Sequence, residues 1–406
     1  MSESAQTPPS ALARVAARLE SLSAEGLRRR LLTAETPCAP EVGLGERTWL
    51  AFNSNDYLGL ANHPRIIAAL QEGAERYGVG SGASHLISGH SRAHAELEEA
   101  LAALMRPHVP QARALYFGTG YLANLALITA LVDVAPDACE VFSETLNHAS
   151  LIDGMRLARA RVTRYAHCDV AALAQLLTNS TAAHKVVVTD SVFSMDGNVA
   201  PLSELLALCE RHDALLVVDD AHGFGVLGEN GHGVLSHFDL HSPHVVYMGT
   251  LGKAAGVGGA FVAAHSDLIE WMVQRARPYI YTTAAAPALA HALLTSLAIL
   301  TGGEGAARRA HLHDLIARMR QDTRLDHLHR LPSFTPVQPV ILGSNAAVLA
   351  AAQQLQAQDL WITAIRAPTV PVGTARLRIT LSAAHTHAHL ERLLEALAQL
   401  QPTDTD

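Results

Sequence analysis

Lys253 ends the stretch Thr250-Leu251-Gly252-Lys253, just after an apolar run, Val245-Val246-Tyr247-Met248, that reads as a buried strand. A primary amine at a strand end can act as a nucleophile or carry a proton. Taken alone it reads as a solvated loop charge. Upstream, Leu215-Leu216-Val217-Val218 leads into Asp219-Asp220-Ala221-His222-Gly223, which sets a carboxylate and an imidazole three positions apart. Glu140-Val141-Phe142 leads into Asn147-His148-Ala149-Ser150, and Lys185–Thr189 into Ser194-Met195-Asp196-Gly197. Gly118-Thr119-Gly120-Tyr121 follows Ala114–Phe117 and opens a helix, where bare backbone N–H groups suit an anion or phosphate. An amine, a carboxylate, two imidazoles and an anion cradle amount to covalent and proton-transfer chemistry on an anionic ligand.

The elements that must position these groups follow from periodicity. Short apolar runs alternate with helical stretches from Ala114 onward. Repeated strand–loop–helix units imply an α/β fold with a mostly parallel central sheet and helices on both faces. Ligands of such sheets bind beyond the carboxyl ends of the strands, where every polar cluster above falls. A smaller C-terminal α/β domain is expected from a helix around Arg308–Met319, strand Pro339–Leu342, a helix near Ala346–Gln358, Ile362–Arg366, an alternating strand Arg376–Leu381 and a final helix from Thr386. The expected division is an N-terminal helix and arm over 1–60, a large domain over 61–300 and the small domain over 301–406.

Residues 1–10 read as disordered. Leu12, Val15, Leu19, Leu22, Leu27 and Leu31 recur at helical spacing, predicting a helix over Ala11–Leu32 that lies on another part of the molecule or on a second subunit. A strand at Leu50-Ala51-Phe52 and a helix over Pro64–Tyr77 follow. Gly78-Val79-Gly80-Ser81-Gly82 comes after a helix, so the dinucleotide fingerprint, which needs strand, turn, then helix, is rejected. His90 and His94 have metal-ligand spacing without a third ligand nearby, and read as local hydrogen-bonding residues. Residues Ala254–Ala260 read as too small to pack a core, and Asp219 as exposed at its strand tip.

Composition removes several function classes. A formal net charge of −8 with 23 histidines, and no basic run beyond Arg28-Arg29-Arg30, argues against a nucleic-acid surface. Cys38, Cys139, Cys168 and Cys209 lie far apart, giving neither a disulfide framework nor a zinc site, so a cytoplasmic protein is expected. The first residues lack the basic and apolar regions of a secretory signal. The longest apolar stretch, Ala284–Leu300, is broken by Pro287 and His291 and falls short of a bilayer span, so no membrane partner is expected.

Cradle, flat imidazole, strand-end carboxylate and lysine together match the needs of pyridoxal 5'-phosphate. Its aldehyde takes an amine as a Schiff base, and a carboxylate keeps its pyridine nitrogen protonated so that the ring accepts electrons. Each residue also has a plain structural alternative: Asp219 as a helix cap, His148 as a turn residue, Gly120 as a helix start. Asp219 and His222 with a further histidine could also serve a zinc hydrolase, and a cofactor fold can be a catalytically silent binding protein. The pyridoxal reading requires no metal.

Asn55-Asp56-Tyr57-Leu58-Gly59, Asn147–Ser150, Val192-Phe193-Ser194-Met195-Asp196-Gly197, Asp219–Gly223 and Thr250–Lys253 closely resemble the α-oxoamine synthases, fold-type I pyridoxal-phosphate enzymes that join an amino acid to an acyl-CoA with loss of carbon dioxide. The resemblance spans nearly the whole chain. Thr363–Pro371 resembles the biotin-pathway branch, which uses L-alanine and a pimeloyl thioester, either pimeloyl-CoA or pimeloyl-acyl-carrier protein. Sister synthases condense glycine with acetyl-CoA or succinyl-CoA. The resemblance implies that Lys253 binds the cofactor aldehyde and moves the Cα proton, with Asp219 at the pyridine nitrogen and His148 stacked on the ring. His222 and Ser194 would lie near the phenolic oxygen, with Gly120, Tyr121 and Thr250 at the phosphate. Arg366 would hold the substrate carboxylate, with Asn55, Arg28 and Thr369 as further substrate contacts. It also implies a homodimer in which Thr282 and Thr283 reach the partner's phosphate. Asp190, His85 and Ala367 depart from the residues common at their positions in the family.

Overall fold

The structure, a computed structural model, describes residues 10–29 and 31–401; of the stretch read as disordered, all but Ser10 lies outside the described residues. The chain opens with α1 (Ala11–Ala24), β1 (Glu41–Leu44), β2 (Arg47–Ala51), α2 (Pro64–Tyr77) and α3 (Arg92–Met105). Next come β3 (Ala112–Phe117), α4 (Gly120–Val132), β4 (Cys139–Glu144), α5 (Ala149–Leu157), β5 (Arg161–Tyr165), α6 (Val170–Asn179), β6 (His184–Asp190), α7 (Leu202–Arg211) and β7 (Ala214–Asp219). They are followed by α8 (Val234–His237), β8 (Val245–Thr250), β9 (Ala260–His265), α9 (Ser266–Arg275) and α10 (Arg277–Ile280). The remainder is α11 (Pro287–Thr301), α12 (Gly303–Gln321), β10 (His329–Arg330), β11 (Val337–Gly343), α13 (Asn345–Gln356), β12 (Leu360–Trp361), β13 (Thr363–Ile365), β14 (Ala375–Thr380) and α14 (His387–Ala398).

Seven strands form the central sheet in the order β3-β9-β8-β7-β6-β4-β5. All run parallel except β9, which is antiparallel to both β3 and β8. Successive side chains of a strand point to opposite faces, so the unbroken runs Val186-Val187-Val188 and Leu216-Val217-Val218 feed two cores at once. Val187, Leu216 and Val218 join one core, and Val186, Val188 and Val217 pack on the other with Ala123, Leu127 and Leu131 of α4. Each such buried aliphatic side chain contributes about 1.5–3 kcal/mol.

Ala254, Ala255 and Ala260 are buried in these cores, contrary to the expectation for their stretch. Their small side chains are what let the backbone after Lys253 press close to its neighbours. Gly256 shows this directly. Its φ is +70°, and a Cβ there would lie 2.5 Å from the Leu60 carbonyl carbon.

A four-stranded antiparallel sheet, β10-β11-β14-β13, forms the second layer, and β12 pairs in parallel with β2 in a three-stranded sheet with β1. The segment Ile362–Arg366 contains one short strand, β13, and β12 just before it serves the other sheet. The first helix stops at Ala24 rather than Leu32, because Gly26 turns the chain at φ +67° and Leu27 N–H returns to the Leu22 carbonyl. Among its described residues none is buried; Leu12 is 82% exposed and Val15 57%.

Candidate functional site

Lys253 lies in the tight turn after β8, held by Gly256 N–H on its carbonyl at 2.9 Å. Its Nζ lies 2.8 Å from His222 Nε2. His222 is buried, and its Nδ1 lies 2.5 Å from Tyr57 Oη. Tyr57 Oη also donates to Asn55 Oδ1, which accepts two N–H groups of Arg378. With an ammonium donating to Nε2, His222 Nδ1–H donates to Tyr57, and the chain of donors runs outward without conflict. Burial lowers the Lys253 amine to about 8, and burial together with the Lys253 and Arg378 cations pushes His222 well below its ordinary value.

Asp219, the last residue of β7, is buried rather than exposed, because β6 and β8 flank it and Asn124 of α4 lies over it. Asn124 Nδ2 donates to Asp219 Oδ2 at 2.7 Å and to Ser150 Oγ at 2.8 Å. Ser150 Oγ in turn lies 2.7 Å from His148 Nδ1. His148 caps α5 and its backbone N–H donates to Asp190 Oδ1, while Asp190 N–H donates to Asn147 Oδ1. Burial first, then the charge of Asp219, raise the Asp190 carboxyl well above the usual carboxylate range. Burial also lowers His148, with Asp219 opposing and Lys253 reinforcing the shift. The plain alternatives for His148 and Gly120 hold as well, since His148 accepts Ser150 N–H and Gly120 begins α4, whereas Asp219 caps no helix: a turn follows β7, and its carboxylate accepts Ala221 N–H there.

Lys253, His222, Asp219, Asn124, Ser150, His148 and Asp190 line one cavity of about 180 Å³, together with Gly120, Tyr121, Thr250, Ala221 and Met248. The first-turn N–H groups of α4 have no partner within the helix. A Cβ on Gly120 would point toward Thr250 Oγ1 and Met248 at ordinary contact distance, so glycine leaves this corner of the cavity open. Larger space, about 870 Å³, lies between α12 and residues 226–237, but it holds none of the strand-end groups. Chemistry, not volume, selects the smaller cavity.

The other expected residues lie elsewhere. Arg28, Arg366 and Thr369 line a second cavity of about 750 Å³ with Leu19 and Leu22 of α1, and Arg366 donates to the Gly26 carbonyl. Ser194 does not line the cavity; its carbonyl accepts Arg378 Nε at 2.6 Å. Thr282 and Thr283 do not line the cavity; Thr283 bridges to Ser84. Asp219 and His222 belong to neither of the two three-ligand groups found among the described residues. Sequence reading missed Asn124, Ser150 and Arg378. Asn124 lies one helical turn beyond Gly120 and so shares its face, a signal that spacing alone offered. Arg378 alternates with Leu377 and Ile379 on β14, which marks a polar face without saying what it meets.

Residues 47–397 match the aminotransferase class I and II family. The chain belongs to that family. Among curated relatives, it is 64% identical to the 8-amino-7-oxononanoate synthase of Janthinobacterium sp. (strain Marseille), covering 95% of this chain and 97% of that one. It is 62% identical to that of Bordetella petrii, with 95% and 96% covered. Among solved structures, serine palmitoyltransferase of S. paucimobilis with bound PLP shares the fold at a TM-score of 0.87 and 27% identity, covering 96% of this chain and 98% of that one. The 8-amino-7-oxononanoate synthase of Francisella tularensis aligns at 0.73 and 28%, covering 86% and 97%. This family member has a mostly parallel central sheet with helices around it, and its cavity fits pyridoxal phosphate. The carbonyl oxygen of Asn124 is buried with no partner beside the Asp219 carboxylate, and Gly120 and Tyr121, at the start of α4, line the same cavity as Lys253.

Proposed function

We propose that the chain is a pyridoxal-phosphate-dependent acyltransferase that condenses L-alanine with a pimeloyl thioester, releasing carbon dioxide and 8-amino-7-oxononanoate for biotin biosynthesis. The observation that carries this reading is the contact of Lys253 with His222 in the cavity closed by Asp219, in a chain 64% identical to a synthase of that name. When bound, pyridoxal phosphate supplies an aldehyde for a primary amine and a protonated ring that accepts electrons from a bond broken at Cα.

The chain's own residues then divide the work. The N–H groups of Gly120 and Tyr121 and the Thr250 hydroxyl would hold the phosphate, with His148 against the ring face and His222 and Ser194 toward the phenolic oxygen. Asp219, fixed by Asn124, would hold the ring-nitrogen proton. Lys253, with its amine lowered to about 8, would hold the cofactor aldehyde and would carry the Cα proton at neutral pH. Arg366 would take the substrate carboxylate in bidentate fashion, with Arg28, Asn55 and Thr369 completing the substrate side.

A homodimer is part of this proposal, with Thr282 and Thr283 serving the partner's phosphate. Supporting it, Val79, Ile87 and Tyr281, close in sequence to the Ser84–Thr283 bridge, are 86%, 81% and 70% exposed, apolar side chains that a second subunit would cover. The four cysteines are unpaired, which suits a cytoplasmic enzyme, and no described helix is long and apolar enough to cross a membrane.

The test is turnover with alanine and with glycine, each against pimeloyl-, acetyl- and succinyl-thioesters, for wild type and Lys253→Ala. Alanine with the pimeloyl donor should dominate and the variant should be inactive. A preference for glycine, or turnover by Lys253→Ala, refutes the proposal.

A further inference from the structure

Two clusters of three metal-ligating side chains occur among the described residues, both outside the Lys253 cavity. His85, which the sequence spacing did not suggest, joins His90 and His94 in the first. That cluster is committed to the fold. His94 Nδ1 accepts Ser91 N–H at 3.0 Å and its Nε2 donates to the Ala285 carbonyl at 2.9 Å, leaving no lone pair for an ion.

The second cluster is different. His311 and Asp314 lie three apart on α12, a spacing that puts them on one face, and His387 begins α14 opposite them. One ligand atom from each lies within 4.8 Å of the others. Ligands around a tetrahedral zinc ion are about 3.4 Å apart, and rotation of the exposed His387 and partly exposed Asp314 side chains toward the half-buried His311 closes that gap. His311 Nε2 lies 2.7 Å from the His385 carbonyl. A carbonyl only accepts, so Nε2 carries the proton and Nδ1 keeps its lone pair, the arrangement that outer contacts impose on metal-ligating histidines. His387 Nε2 and Asp314 Oδ2 are 2.6 Å apart, sharing a proton that an ion can replace. Arg318 Nε also donates to Oδ2, at 2.8 Å, so the carboxylate is steered from one oxygen while Oδ1 remains for a ligand bond.

We propose that His311, Asp314 and His387 bind one zinc-class divalent ion that clips α14 to α12. Two imidazoles and one carboxylate suit zinc among the common dications, with solvent in the fourth position.

The experiment is a Zn²⁺ titration of the chelator-treated holoenzyme against a chromophoric zinc indicator, alongside its thermal midpoint. Wild type should take one ion per chain and melt higher with zinc. His311→Ala and His387→Gln should each weaken binding about tenfold or more and abolish the thermal shift, whereas His90→Ala should behave as wild type. His387→Gln is chosen because it keeps the helix start and the polar surface. Failure of the wild type to bind, binding indifferent to both cluster substitutions, or binding lost in His90→Ala overturns the site.

Discussion

Lys253 Nζ and His222 Nε2 meet at 2.8 Å although 31 residues separate them in the chain. Burial acts on both in the same sense, lowering the amine to about 8 and the imidazole well below its usual value. Protonating both would place two cations side by side in a dry wall. The pair therefore holds one proton near neutrality, on the lysine, with the imidazole as acceptor.

In cofactor-free protein the Lys253 amine should titrate at about 8. Lys185 is the chain's other lysine and serves as internal reference. Acylation of the two, followed by peptide mass mapping across pH, should show a midpoint near 8 for Lys253. A midpoint near 10 would remove the basis for its role as a proton carrier. The sign for stability follows: between about 8 and 10.5 the unfolded chain binds more protons, so stability rises with pH through that window.

Asn124→Ala removes the donor to Asp219 Oδ2 and leaves a buried carboxylate oxygen short of a partner. The expected loss is about 1–3 kcal/mol of stability, with weaker cofactor retention. Urea unfolding and a fluorescence titration with pyridoxal phosphate measure the two. Unchanged cofactor affinity would show that Asn124 does not position Asp219.

Gly256→Ala strains the turn twice, through φ +70° and through the clash with Leu60. Because Gly256 N–H bonds the Lys253 carbonyl, the lysine should shift with it. A loss exceeding about 1 kcal/mol and reduced turnover are expected. Wild-type melting and kinetics in this variant would contradict the packing described for the turn.

Glu98 sits beneath β3 and accepts Tyr116 N–H at 2.9 Å, and burial pushes its carboxyl up to about 7. The folded state then binds the extra proton between about 4.5 and 7, so wild-type stability falls as pH rises through that window. Glu98→Gln keeps the acceptor without the charge. It should gain about 2–3 kcal/mol over wild type at pH 8 and little at pH 4.5, by urea unfolding at each pH.

The strand ends were legible because they depend on local pattern. A run such as Leu215–Val218 can satisfy its apolar side chains only inside a sheet, and Asp219 and His222 must then follow at the edge. The same reasoning located Gly120, His148, Thr250 and Lys253, all of which line the cavity. Motif resemblance added the chemistry, and the family match agrees with it. β9 was missed because its alanines carry no strand signal of their own; it is held by pairing with β3 and β8.

Tertiary structure alone decided which distant groups meet. Asn124 reaches Asp219 across 95 residues, and Arg378 reaches Ser194 across 184. Those contacts depend on the order of strands in the sheet and on the second sheet packing against it. Local periodicity fixes which way a side chain faces along its own element, but not which element lies opposite. So the sequence by itself specified the reactive set around Lys253. The fold determined its protonation, because burial and the company of His222, Asp219 and Arg378 exist only once the layers close.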